Sequence, residues 1–210
     1  MIITYIKNMF FHIVIFIPIY LLFRIIFVKI KKIDTSFKKE FLLGIFVLYM
    51  IGLLSQTIIP DWDIGIDDLS GFYFDIHFNT NRQYNIIPFH TIYGYLFTSN
   101  NFVSNWDKVS LLNLAANLAL FMPFGFLLPL VSQNIKTYKK VLICGIILVL
   151  IIEFIQYFIG RSADVDDVIL NMIGITLGYL FYKCLQNNIG WNYFCTNIDG
   201  NNDSIFESDL

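Results

Sequence analysis

Five apolar runs of near-membrane length constrain this chain more than any other feature. They cover residues 9–28, 41–59, 109–131, 141–159 and 167–183, each to within a few positions. A helix rises about 1.5 Å per residue, so roughly 20 apolar residues cross a hydrocarbon layer about 30 Å thick. The rest of the composition agrees: 57% of residues are hydrophobic and only 14% are charged, where a soluble domain carries about 25% charge. A soluble fold of 210 residues could not hide 22 phenylalanines among so much Ile and Leu, so lipid must solvate much of the surface. The expected fold class is an all-α membrane protein with about five transmembrane helices. A net charge of −2 gives no basis for nucleic-acid binding.

The polar stretches between these runs set the expected organisation. Residues 1–40 read as a transmembrane anchor followed by a basic connector, Lys29, Lys31, Lys32, Lys38 and Lys39. The first run is too long for a signal peptide and no small-x-small cleavage site follows it. Arg24, near its end, can snorkel to the headgroups. Residues 41–185 form the main membrane domain. Between its first two helices lies an extracytoplasmic region, where Phe72, Phe74, Ile76 and Phe78 alternate with polar neighbours. That is strand periodicity, and Asn79-Thr80-Asn81 is a turn signal, so a short hairpin is expected. The aromatic Thr91–Phe97 stretch then predicts an interfacial helix. Residues 186–210 read as an acidic tail, expected to be disordered.

Lysine and arginine placement orients these spans. With alternating sides, Arg24, Lys29, Lys31, Lys32, Lys38, Lys39, Lys136, Lys139, Lys140 and Lys183 fall on one side, ten in all. Lys7, Arg82, Lys108 and Arg161 fall on the other, four in all. The richer side is cytoplasmic by the positive-inside rule. This predicts a multi-pass cell-membrane protein with its N-terminus outside and its C-terminus in the cytoplasm. Cys144, Cys184 and Cys195 then lie toward the cytoplasm, consistent with free thiols.

One stretch breaks the apolar pattern. Residues 153–178 hold Glu153, Gln156, Arg161, Asp164, Asp167 and Asn171 between two membrane-length runs. Glu153 falls about 10 Å below the outer surface, and Gln156 shares its helical face. A helix beginning before Asp164 would carry Asp164, Asp167, Asn171, Gly174 and Gly178 on one arc of about 80°. Its glycines would let another helix approach. Asn117 from the third run and Asn85 from the outer region join the same side, while Pro123 and Gly125 are expected to bend the third helix. A charge inside a membrane helix costs at least about 2.5–3.5 kcal/mol and usually marks function. Several carboxylates together could hold a hard cation, yet no metal-ligand spacing is present, and the scattered His12, His77 and His90 supply none. No Ser-His-Asp arrangement appears at membrane depth, and no cofactor is implied.

Taken in order, these residues resemble the VanZ-like membrane proteins, first named from glycopeptide (teicoplanin) resistance. The resemblance rests on Asn85-Ile86-Ile87-Pro88-Phe89, Asn117 followed by Pro123-Phe124-Gly125-Phe126, Glu153-x-x-Gln156, Arg161, Asp164-x-x-Asp167-x-x-x-Asn171 and Gly174-x-x-x-Gly178. It implies an integral membrane protein, with reduced susceptibility to teicoplanin-type drugs in some members. Three readings are open at this point. The polar residues line an outward pocket for a glycopeptide or a lipid-linked envelope precursor, with Arg161 holding an anionic headgroup or pairing with the acids. Alternatively, Glu153 is the acid or base of an intramembrane enzyme with Asp164 and Asp167 as metal ligands. Alternatively, all of them are helix caps and interhelical glue. A transporter is a weaker fourth idea, since no inverted repeat is visible.

Overall fold

A computed structural model describes residues 2–32, 36–59, 62–67, 71–76, 84–97 and 106–186. In chain order these form α1 (Ile2–Lys31), α2 (Phe37–Thr57), β1 (Trp62–Asp67), β2 (Gly71–Ile76), β3 (Tyr84–Asn85), α3 (His90–Phe97), α4 (Trp106–Val131), α5 (Tyr138–Phe158), β4 (Ala163–Asp164) and α6 (Val165–Gln186). The tail and Cys195 lie outside the described residues.

Among the described residues four helices are long and apolar enough to cross a membrane: Met9–Lys31, Ser110–Val131, Tyr138–Phe158 and Val165–Gln186. The second expected span is the helix α2, but it is not among them. Its uninterrupted apolar run, Phe41–Leu54 between Glu40 and Ser55, is about 21 Å long at the α-helical rise. That falls short of the hydrocarbon thickness by itself. Ser36 caps the helix from the residue before it, its hydroxyl accepting the Lys39 N–H at 3.3 Å.

The most extensive packing among the described elements is between α4 and α6. It is a backbone-to-backbone approach. A methyl group on Gly174 would run into the Leu118 carbonyl, one on Gly178 into the Met122 carbonyl, and one on Gly125 into the Ile175 carbonyl. Small residues on both helices thus remove the side-chain layer, which is how helices associate where lipid offers no hydrophobic driving force. Gly125 therefore serves this approach. On α5, Gly145 makes room for the Ile175 side chain, whose Cδ1 sits 2.7 Å from where a Cβ would be. Around this seam Leu53, Phe121, Phe124, Leu128, Val141, Val149, Ile152, Ile175, Tyr179 and Tyr182 form the core.

The helix α1 packs on α2, with large side chains such as Phe10, Leu22 and Phe23 exposed as a lipid-facing helix requires. Arg24, expected to reach for headgroups, instead makes a bidentate pair with Glu40, at 2.8 Å from Nε to Oε2 and 2.6 Å from Nη2 to Oε1. Among the described residues Cys144 and Cys184 carry free thiols.

Between α2 and α3 the chain forms strands. β1 and β2 pair antiparallel, from Trp62 opposite Ile76 to Asp67 opposite Gly71. This pairing precedes the Asn79-Thr80-Asn81 turn expected from the sequence, which lies outside the described residues. β3 makes a short parallel pair with β4, Tyr84 opposite Ala163 and Asn85 opposite Asp164, which no local pattern announced.

Candidate functional site

The polar residues gather at one end of the helix bundle, opposite the end that carries Lys136, Lys139, Lys140 and Lys183. The C-termini of α2 and α5 and the N-terminus of α6 meet there. The turn that makes this possible is at Gly160, with φ of +79°, a left-handed position that favours glycine. The Arg161 N–H returns to the Gln156 carbonyl at 2.9 Å, so α5 ends in a Schellman-type cap. The chain reverses within a few residues and delivers Arg161, Asp164 and α6 back to the same end.

Asp164 does not lie on the face of α6. The helix begins at Val165, and the Asp164 Oδ1 accepts the Asp166 N–H at 2.9 Å, as a helix-capping aspartate does. This corrects the expected five-residue stripe. Asp167, Asn171, Gly174 and Gly178 keep a common face toward α4, while Asp164 stands before the helix. Its carboxylate also accepts the Asn85 amide at 3.1 Å and the Thr91 hydroxyl. Asn85 donates to the Thr91 Oγ1 at 3.1 Å and accepts the Ile87 N–H at 3.0 Å. Asp164 therefore has both oxygens committed to hydrogen bonds, which leaves little of it for the metal-ligand role expected under the enzyme reading.

Asp166 is the residue that helix arithmetic missed. It is fully buried, at 0% exposure, and its carboxylate accepts three backbone N–H groups. These are Phe89 through Oδ1, with Thr91 at 2.7 Å and Ile92 at 3.0 Å through Oδ2. They belong to the entry and first turn of α3, where N–H groups have no helical partner and the helix dipole attracts an anion. Phe89 itself sits at φ +66°, an unfavourable conformation for a bulky residue, and its bond to Asp166 helps hold it. One residue before Asp167 on α6, Asp166 falls about 100° off the α4-facing arc, outside the stripe read from the sequence. The available signal was the third acid in Asp164-Val165-Asp166-Asp167 together with an aromatic helix lacking any acid in its own first turn. Thr91 was missed because its partner, Asp164, lies far away in sequence.

A second group lies beside this latch. Glu153, buried on α5, accepts the Asp164 N–H at 3.1 Å through Oε2. Asp167 accepts the Asn117 amide at 2.6 Å. Glu153 lies within electrostatic reach of Asp164, Asp167 and Arg161. Arg161 does not form a salt bridge with any of these acids. It donates from Nη1 to the Gln56 carbonyl at 3.0 Å and to the Thr57 carbonyl at 3.3 Å. Gln156 donates to the same Thr57 carbonyl at 3.0 Å. These are terminal carbonyls of α2, which lack partners within the helix and favour a nearby cation.

Two oxygen acceptors here have no partner. Gln156 Oε1 and Asn171 Oδ1 are buried and unbonded, in side chains only 9% and 3% exposed. Such groups cost about 1–3 kcal/mol each in a folded protein. Among the described residues no three His, Cys, Asp or Glu side chains stand close enough to share a metal ion. The structure thus brings all eight sequence-selected polar residues, Asn85, Asn117, Glu153, Gln156, Arg161, Asp164, Asp167 and Asn171, to one end. It divides them into a saturated latch and an acceptor-rich neighbour.

A family model described as VanZ/LLP1 matches residues 46–186. The chain belongs to the VanZ-like family. No curated protein and no solved structure matches it. The matched span begins within α2 and ends with α6. It contains every residue of the latch and of the acceptor-rich group, and it omits α1 and the acidic tail.

Proposed function

We propose that this VanZ-like protein presents the acceptor-rich end of its bundle to the outside of the cell. There it would bind a glycopeptide antibiotic or a lipid-linked envelope precursor and so reduce susceptibility to teicoplanin-type drugs. The observation that carries this reading is the pair of buried, unbonded oxygens of Gln156 and Asn171 beside Glu153 and Asp167. A purely structural cluster has no reason to keep orphan acceptors at a stability cost. A ligand-binding cluster does. The latch of Asn85, Thr91, Asp164 and Asp166 has its polar groups paired, and we assign it the task of docking α3 beside that site. Orientation follows from the lysines: with the basic end cytoplasmic, α2 crosses with the other helices, the N-terminus lies outside and the tail inside. Support for α2 as a fifth crossing is that Glu40 meets Arg24 at the basic end while the Thr57 carbonyl meets Gln156 at the other.

The test is drug susceptibility in a glycopeptide-sensitive host expressing the wild-type chain or Glu153→Gln. The wild-type chain is expected to raise the inhibitory concentration of teicoplanin, and the variant to lose that effect at equal membrane abundance. Loss of effect that merely tracks lower abundance would assign Glu153 to structure alone.

A further inference from the structure

The acceptor-rich group has a chemical bias that narrows its ligand, an argument that rests on the site being a binding site. Every unsaturated group in it accepts. A carboxylate offers about four lone-pair sites. Glu153 receives one described donor, the Asp164 N–H, and Asp167 receives one, the Asn117 amide. Asn171 Oδ1 and Gln156 Oε1 receive none. Asn171 follows Asp167 by one helical turn on the face of α6 that packs against α4. Gln156 follows Glu153 by one turn on α5. Because α5 ends and α6 begins at this end, Asn171 lies one turn deeper than Asp167, while Gln156 lies one turn nearer the end than Glu153.

Charge points the same way. None of Glu153, Asp164, Asp166 and Asp167 forms a salt bridge with a described residue. The nearby cation, Arg161, has its Nη1 turned to the end of α2. An anionic headgroup would face the Glu153 and Asp167 carboxylates, neither of which is paired with Arg161. No three His, Cys, Asp or Glu side chains among the described residues stand close enough to share a metal ion, so a metal would depend on amide oxygens for the rest of its ligands. A neutral hydroxyl would supply a donor and leave the charge uncompensated. A protonated amine supplies both, with three donors and no acceptor.

We propose that Glu153, Asp167, Asn171 and Gln156 form a binding site for a primary ammonium group, presented at the membrane surface by an amphiphile or by a soluble molecule. Asn117 positions Asp167 through their hydrogen bond, and Arg161 sets the position of the α5–α6 turn.

The probes are n-octylammonium chloride and ethylammonium chloride, with n-octanol and sodium octanoate as controls of matched length. The full chain, purified in a neutral maltoside, is titrated with each, and its thermal unfolding midpoint is read. The ammonium compounds are expected to raise the midpoint saturably, and the alcohol and the carboxylate are not. A much lower saturating concentration for octylammonium than for ethylammonium identifies an amphiphile's headgroup; similar concentrations identify a soluble amine. Asn171→Leu is the decisive variant, because removing an orphan acceptor from an apolar interior leaves a folded chain. It should unfold at a higher temperature than wild type without ligand and lose most of the ammonium response, as should Asp167→Asn. A wild-type chain with no saturable response to either amine overturns the proposal. So does an equal response to octanol, or an undiminished response in Asn171→Leu. The two readings separate cleanly. A missing amine response with Glu153-dependent teicoplanin susceptibility refutes the ammonium site alone. An amine response without any change in susceptibility refutes the resistance reading alone.

Discussion

Asp166 gives the sharpest prediction. Its carboxylate holds three N–H groups of the entry to α3. That helix has no acid in its own first turn. Hydrogen bonds to a charged group contribute about 1.5–3 kcal/mol each. They are not additive here, because one carboxylate serves all three and water can reach the freed groups. Asp166→Ala should therefore lower the free energy of undocking α3 by about 3–5 kcal/mol. At about 1.4 kcal/mol per tenfold, amide hydrogen exchange in α3 should accelerate by at least about a hundredfold. Asp166→Asn keeps one acceptor oxygen. Placed where Oδ2 stood, it retains the Thr91 and Ile92 bonds and turns its NH2 toward the Phe89 N–H. About 1.5–3 kcal/mol should be lost, an acceleration of roughly ten- to a hundredfold. The assay is exchange mass spectrometry on peptides covering 84–97 in the reconstituted chain, with Glu40→Gln as a control at the opposite end. Unchanged exchange in Asp166→Ala, with α5 and α6 also unchanged, would refute the view that this carboxylate docks α3.

Four further outcomes follow from the fold. Gly178→Ala drives a methyl into the Met122 carbonyl and should lower stability by about 1–3 kcal/mol. Gly44→Ala meets nothing within 4 Å and should raise it by up to about 1 kcal/mol; reversible unfolding in mixed micelles reads both signs. Arg161→Ala uncovers the last carbonyls of α2 and should lower the unfolding midpoint by an amount equivalent to about 1 kcal/mol, with Lys at the same position recovering part of it. The Arg24 hydrogen bonds, aided by the guanidinium charge, hold the Glu40 carboxyl below its ordinary value. A depressed folded value means that the stabilisation is present above the unfolded value and is lost as pH falls through the folded one. Spin labels at Ile30 and Phe41 should therefore report α1 loosening from α2 below about pH 4, and Glu40→Gln should remove that pH step.

Much of the membrane architecture was legible because it depends on local sequence. Apolar run length is set by bilayer thickness, so α1, α4, α5 and α6 stand out without any tertiary knowledge. The glycines of α6 were legible too. Gly174 and Gly178 lie four apart, and a small residue every turn leaves a helix face that another backbone can reach. The segment read as the second span is a helix, but its shorter apolar run between Glu40 and Ser55 is matched at both ends by partners on other helices. That match is a property of the bundle.

The polar end shows where sequence reasoning stops. Helical periodicity relates residues on one helix, so it found Glu153 with Gln156 and Asp167 with Asn171. It had no means to place a residue that acts across elements. Asp166 was passed over because its partners, the α3 amides, are some 75 residues away. Arg161 was expected among the acids because opposite charges attract. The chain reversal at Gly160 instead carries it to the end of α2, whose unpaired carbonyls compete for it. The sequence by itself determined that this chain lives in a membrane and keeps costly polar groups near one end. Tertiary structure alone decided which of those groups saturate one another and which remain acceptors without donors. The reason is physical: solvation cost is a property of each residue, whereas hydrogen-bond satisfaction belongs to pairs that only the folded chain brings together.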